Sequence, residues 1–297
     1  MVNIDKLVLT NTSEKCYNTY KENTLCTNSM LRRMLIMLYN TFIPAENGNT
    51  ETIVLLHGFG GNSRIWKYQI PLLSKYFNVL TVDLPSHNEG NLRLSQIDVT
   101  LDAISREILA VCDMHNVRNA VFMGVSLGTV FVKYIEAFYP EYVKFGILVG
   151  AVATVNALLN GCAKLFSKIG DKLPFSAVYH VFSWIIMPGK RNQESRSIFR
   201  KCAIALNKKE FKLYMHIFNQ AFRFSKMFEK EYHPENTYIS GMLDSCFLRR
   251  TVLEVQRSCG RMIKMVSCGH VCNIVHKNRF NKIMLELLDQ NQAIAAE

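Results

Sequence analysis

The chain has 297 residues, of which 49% are hydrophobic and 20% charged, and it carries a formal net charge of +11. That apolar share excludes a disordered or fibrous chain and is enough for a sizeable core, in two domains or in one large α/β domain with an insertion. No apolar run approaches the ~20 residues of a membrane-spanning helix.

Residues 1–50 are polar and weakly patterned. Their opening, MVNIDKLVLTNTSEK, has neither an apolar core nor a small-residue cleavage site, so a secretory signal is not expected. Met30–Phe42 (MLRRMLIMLYNTF) reads as a short helix with Leu31, Met34, Leu35 and Leu38 on one side, packed on the body. From 51 to 150, strand and helix patterns alternate. Thr52–His57 (TIVLLH), Asn78–Asp83 (NVLTVD), Ala120–Gly124 (AVFMG) and Phe145–Gly150 are the continuous apolar runs of buried parallel strands. Between them, Leu101, Ile104, Ile108 and Val111 share a helix face, and Leu127–Tyr139 forms a helix closed by Pro140.

Residues 151–236 lose the strand signal. Their best helix is 208–224, with Phe211, Tyr214, Met215, Phe218 and Phe222 in one stripe, and Asn207 with Glu210 resembles a capping box before it. Thirteen aromatic residues fall in this segment, as a helical cap over an apolar pocket requires. So do 14 Lys and Arg against 6 Asp and Glu, so most of the positive charge is local. Without a basic tail, a zinc-finger pattern or an RNA-binding aromatic signature, nucleic acid is not expected as a partner. A basic cap face can instead steer anionic substrates or make peripheral contact with an anionic membrane surface. Strand patterns resume at 237 with TYISGML and MIKMVS, followed by a helix carrying Phe280, Ile283, Met284, Leu287 and Leu288. The expected architecture is α/β: a mostly parallel central sheet with helices on both faces. Its core comprises 51–150 and 237–297, with a helical insertion at 151–236 and an N-terminal segment, 1–50, of uncertain structure.

Nine cysteines, scattered and odd in number, read as free thiols in a reducing cytoplasm. Cys268, His270 and Cys272 do not have the spacing of a zinc site, so no metal or other cofactor is expected.

The chemistry concentrates in a few motifs. GVSLG, Gly124–Gly128, follows a predicted strand and opens a predicted helix, where a sharp turn lifts the Ser126 hydroxyl clear of the sheet. HGFGG, His57–Gly61, is a glycine-rich loop at the end of another strand. Its Phe59 N–H and the Leu127 N–H can form an oxyanion hole, while the His57 side chain is expected to be structural. A serine nucleophile needs a base, and the base an orienting acid. His270 lies just past an apolar strand, with His276 its closest rival; His216 and His233 fall in the insertion. Asp244 follows the strand at 238–241, whereas Asp83 precedes the nucleophile. The resulting order is Ser126, Asp244, His270.

HGFGG with Trp66, then VDLPSHNEG, GVSLG, GMLD and GHVCN together resemble the α/β-hydrolase fold superfamily over about 52–150 and 237–290. The resemblance implies Ser126 as nucleophile, Asp244 as acid, His270 as base, Phe59 and Leu127 as oxyanion donors, and 151–236 as a lid. It departs in Ser86 and Asn88, which stand where relatives carry glycines, in Val125 where many carry histidine, and in Val275 and Lys277 after the base. The expected activity is cleavage of a small-molecule carboxylic ester or thioester with an apolar acyl group. Acyl transfer, peptide cleavage and a non-catalytic ligand receptor are the alternatives on this fold.

Overall fold

A computed structural model of the chain describes residues 37–88, 92–153, 174–202, 206–228, 233 and 235–294, of which all but Met37 fall in the compact unit 38–297. Seven strands form one sheet: β1 (Asn40–Ile43), β2 (Thr52–Leu56), β3 (Asn78–Val82), β4 (Ala120–Val125), β5 (Val143–Val149), β6 (Thr237–Gly241) and β7 (Arg261–Met265). Their spatial order is β1-β3-β2-β4-β5-β6-β7. Every pairing is parallel except that of β1 with β3.

The apolar runs became the central strands because both of their faces are covered. Every residue of β4 and β6 is buried. On one face Ile53, Leu55, Val121, Met123, Ile147 and Ile239 pack with Trp66, Leu73 and Phe77 from the segment after β2. Phe280, Met284, Leu287 and Leu288 of helix α7 (Lys277–Ile294) complete that layer. Burial of each such side chain contributes about 1.5–3 kcal/mol. The opposite face receives α1 (Leu101–Met114), α2 (Leu127–Phe138) and α6 (Leu248–Ser258). In α1, Leu101, Ile104, Ile108 and Val111 are buried as their spacing requires, and the Thr100 side chain caps the helix by accepting from the Ala103 N–H (3.0 Å).

Two elements differ from the sequence reading. Within the described residues the helix expected over Met30–Phe42 gives way to strand β1, which pairs Asn40 with Val82 and Ile43 with Val79. Residues 30–36 lie outside the described residues. Helix α6 was not singled out in the sequence, although Leu248, Val252 and Val255 fall at i, i+4 and i+7; its buried positions are Thr251, Glu254, Val255 and Ser258. Their spacing is helical, but three of the four are polar. Between β5 and β6 lie α3 (Phe175–Ile186), α4 (Gln193–Cys202) and α5 (Lys208–Phe228). Among the described residues no helix is long and apolar enough to cross a membrane.

Candidate active site

The strand β4 ends in a turn that places Ser126 at φ 52° and ψ −116°. Only a strained backbone holds a serine there, at a cost of about 1–3 kcal/mol. The flanking glycines make room for it. A Cβ on Gly124 would stand 2.6 Å from the Gly128 backbone, and one on Gly128 would stand 2.5 Å from the Leu56 carbonyl oxygen. The turn is anchored by the Ser126 N–H donating to Val149 O (2.9 Å).

Asp244 and His270 come from loops after β6 and β7, tied together by the Leu243 N–H donating to Cys268 O (2.8 Å). His270 donates from Nδ1 to Asp244 Oδ2 (2.7 Å), and its Nε2 accepts from Ser126 Oγ (2.9 Å). The carboxylate thereby selects the tautomer whose free nitrogen faces the hydroxyl. The imidazole is packed against the Phe247 ring, with centroids 5.0 Å apart. On its other side Gly150 leaves so little space that a Cβ there would meet the ring at 3.2 Å. Asp244 and His270 are only 2% and 3% exposed, so bulk water does not compete for these bonds. The rival His276 bonds the Ser267 carbonyl oxygen through Nε2 (2.9 Å) and is not in this chain of bonds.

The loop after β2 lies against the serine, since a Cβ on Gly58 would stand 3.1 Å from Ser126 Cβ. Phe59 belongs to this loop, and Leu127 opens α2, where the first N–H groups of a helix have no intrahelical acceptor. His57 is structural, as expected: Nδ1–H donates to Gly58 O (2.8 Å), and Nε2 accepts from the Leu84 N–H (2.8 Å). His87, which the sequence reading passed over, does the same one turn further on. It donates from Nδ1 to Pro85 O (2.8 Å) and accepts the Gly60 N–H at Nε2 (2.9 Å). Burial lowers the pKa of both rings, that of His87 well below the ordinary value with His57 adding to the shift, so both stay neutral and keep these acceptors. Asp83 is also buried and structural, accepting from the Ser63 N–H (2.6 Å) and from Asn88 Nδ2 (2.9 Å).

A cleft opens on Ser126 and His270. The rest of its lining is apolar side chains or backbone: Ile65, Val125, Val271 and Ile274 from the sheet domain, and Ile198 and Phe199 from α4. The last two were not singled out in the sequence, although an apolar pair within the otherwise polar QESRSIFRKC is a readable signal. The aromatic stripe of α5 mostly packs elsewhere. Phe211, Tyr214 and Phe218 surround the Phe59 ring at 5.3–5.7 Å, together with Phe182 of α3. They pack on the HGFGG loop and are not among the cleft's lining.

Cys112, Cys246, Cys259, Cys268 and Cys272 are free thiols. Cys16, Cys26 and Cys162 lie outside the described residues. Among the described residues no three metal-ligating side chains converge.

A family model described as alpha/beta hydrolase fold matches residues 51–177. The chain is 31% identical over 112 residues to bifunctional epoxide hydrolase 2 of Sus scrofa, covering 37% of this chain and 19% of that protein. It is also 31% identical over 97 residues to the pimeloyl-[acyl-carrier protein] methyl ester esterase of Vibrio cholerae, covering 33% and 35%. These matches span about a third or less of each relative's length. Among solved structures, MenH from S. aureus superimposes with a TM-score of 0.71 at 17% identity, over 86% of this chain and all of that one. The resemblance carried by the motifs is thus borne out at the level of the fold superfamily, and the two relatives named above are hydrolases, whereas a Pseudomonas putida relative is named as an acetyltransferase component.

Proposed function

From the α/β-hydrolase fold of this chain we propose that it works as a serine hydrolase on a carboxylic ester or thioester, through an acyl-enzyme. The observation that carries this reading is the unbroken chain of hydrogen bonds from Asp244 through His270 to Ser126, at the mouth of an apolar cleft. Ser126 Oγ attacks the carbonyl carbon as His270 Nε2 takes its proton. Asp244 stabilises the imidazolium through Nδ1–H. The Phe59 and Leu127 N–H groups receive the oxyanion. His270 then returns the proton to the leaving alcohol or thiol, and a water activated by the same nitrogen releases the acid.

The cleft supports an uncharged, apolar acyl group, because among the described residues no ionisable side chain other than His270 lines it. A charged acyl chain would enter without a partner, at a desolvation cost. The reading assigns 151–236 to a lid, of which α4 lends Ile198 and Phe199 to the cleft wall. It also places the protein in a reducing, cytoplasmic setting, in keeping with the free thiols. The test is covalent labelling with a fluorophosphonate, followed by turnover of ester and thioester series of increasing acyl length. Labelling at Ser126 that is lost in Ser126→Ala is expected, with a preference for uncharged acyl groups. An unlabelled, folded protein overturns the reading.

A further inference from the structure

Glu210 is a buried carboxylate that the proposed mechanism does not use. It lies near the start of α5, is 2% exposed, and is held by two hydroxyls of the sheet domain. Ser86 Oγ donates to Oε2 (2.5 Å) and Ser95 Oγ donates to Oε1 (2.8 Å). Of the expected capping box only half forms: Asn207 Oδ1 accepts the Glu210 N–H (3.0 Å), while the Glu210 side chain turns away to the serines. A buried carboxylate satisfied by neutral donors is costly to maintain unless its position matters.

The partner is equally unusual. Ser86 has φ 67°, a left-handed conformation suited to glycine, at a position where the resembling proteins carry glycine. Its hydroxyl both donates to Glu210 and accepts the Leu94 N–H (2.8 Å). One turn along α5, Tyr214 OH donates to Pro85 O (2.7 Å). The helix therefore grips two consecutive residues, Pro85 and Ser86. The next residue, His87, accepts the Gly60 N–H and packs edge-on to the Phe59 ring, with centroids 5.8 Å apart.

We propose that Glu210 is a positioning residue: through Ser86 and His87 it fixes the loop that presents the Phe59 N–H, so that docking of α5 sets the geometry of the oxyanion hole. This rests on the serine-hydrolase reading. The relay acts on a group used only when the oxyanion develops, so its loss changes kcat and the binding of transition-state analogues and leaves ground-state substrate binding alone.

The experiment compares wild type with Glu210→Leu, Glu210→Gln and Ser86→Gly. The readouts are kcat, KM, affinity for an alkyl boronic acid (which forms a tetrahedral adduct on serine), and fluorophosphonate labelling. Removing one oxyanion donor outright costs about 10²–10³ in kcat. Displacing one by loss of the relay is expected to cost about 10–100-fold in Glu210→Leu, with KM within about twofold and boronate affinity falling in step with kcat. Glu210→Gln, which keeps an acceptor for one hydroxyl and offers a donor to the other, is expected to recover most of that loss. Should Glu210→Leu not fold, Ser86→Gly still cuts the relay at its middle, at a backbone angle that glycine favours, and it is expected to show the same kcat-only loss. Wild-type kcat and boronate affinity in Ser86→Gly and in folded Glu210→Leu overturn the relay alone, provided the wild type is labelled at Ser126. An unlabelled wild type overturns the serine-hydrolase reading, and the relay with it.

Discussion

Two buried ionic networks lie on either side of α2, and they are built to opposite ends. At the start of the helix, Asp244, His270 and Ser126 form a chain whose last member faces a cleft. In its middle, Lys133 meets Glu254 at 2.9 and 3.1 Å, both side chains wholly buried. There the valences are filled: Lys133 Nζ also donates to Val152 O (3.0 Å), and Tyr238 OH donates to Glu254 Oε1 (3.0 Å). The Lys133 ammonium also lies 5.3 Å from the centre of the Phe228 ring. A carboxylate closed off by a cation and a phenol has nothing left to react with, and it locks α2 to α6 and β6. Asp244 instead accepts from an imidazole N–H, and the far nitrogen of that ring meets the Ser126 hydroxyl. The difference lies in the partner's proton inventory, since both carboxylates are equally buried.

The sharpest way to separate the two networks is to cut each at one point. Ser126→Ala or His270→Ala is expected to lower kcat about 10⁴–10⁶-fold, with melting temperature unchanged or raised. Steady-state turnover and calorimetry on the same samples check this, and near-normal turnover in His270→Ala would remove that histidine from the mechanism. Cutting the other network reverses the pattern. Lys133→Met strands Glu254 in the core and is expected to cost about 3–5 kcal/mol of stability while leaving kcat per folded molecule near wild type. In Lys133→Met with Glu254→Leu most of that loss should return, because the orphaned charge is gone. Urea unfolding of the single and double variants decides it, and strictly additive losses would show that the pair is not coupled.

Acid tests the structural histidines, a milder perturbation. Burial lowers the pKa of His57 and His87 in the folded chain. As pH falls below the unfolded value of about 6.5, the unfolded chain takes up protons that the folded chain refuses, so stability is lost. Melting temperature is expected to fall from pH 7 to pH 5, less steeply in His87→Gln than in wild type. Equal slopes would mean that His87 is not among the groups responsible. The smallest effect expected is at the surface. Lys209→Glu with Lys212→Glu should weaken association with anionic vesicles at low salt, since exposed charges are screened over about 10 Å at 0.1 M. Co-sedimentation across ionic strength measures it, and identical binding by both proteins would show that these lysines take no part in vesicle association.

What the sequence disclosed follows the same division. The central strands were legible because burial on both faces leaves an uninterrupted apolar run, and Ser126 because its turn needs glycine on either side. Helix α6 was passed over although Leu248, Val252 and Val255 keep a helical spacing, because most of the side chains it buries, Thr251, Glu254 and Ser258, are polar and do not read as core. Strand β1 is four half-buried residues whose partner is the open edge of β3, and edge pairing leaves no alternation to read. Glu210 was visible as half of a cap, but the two serines that claim its carboxylate are 124 and 115 residues away in sequence.

The sheet order has a consequence for how the site comes into being. Ser126 follows the fourth strand, whereas Asp244 and His270 follow the last two, and His270 stands 144 residues beyond Ser126. The strained turn and the HGFGG loop sit among strands that follow one another closely along the chain. His270 joins them only after the residues between β5 and β6 have been spanned and a long loop closed, a step that carries entropy and gains nothing until its ends meet. During synthesis from the amino terminus, the Ser126 turn is therefore shaped well before the imidazole that bonds its hydroxyl is in place, which waits until β7 docks at the edge of the sheet.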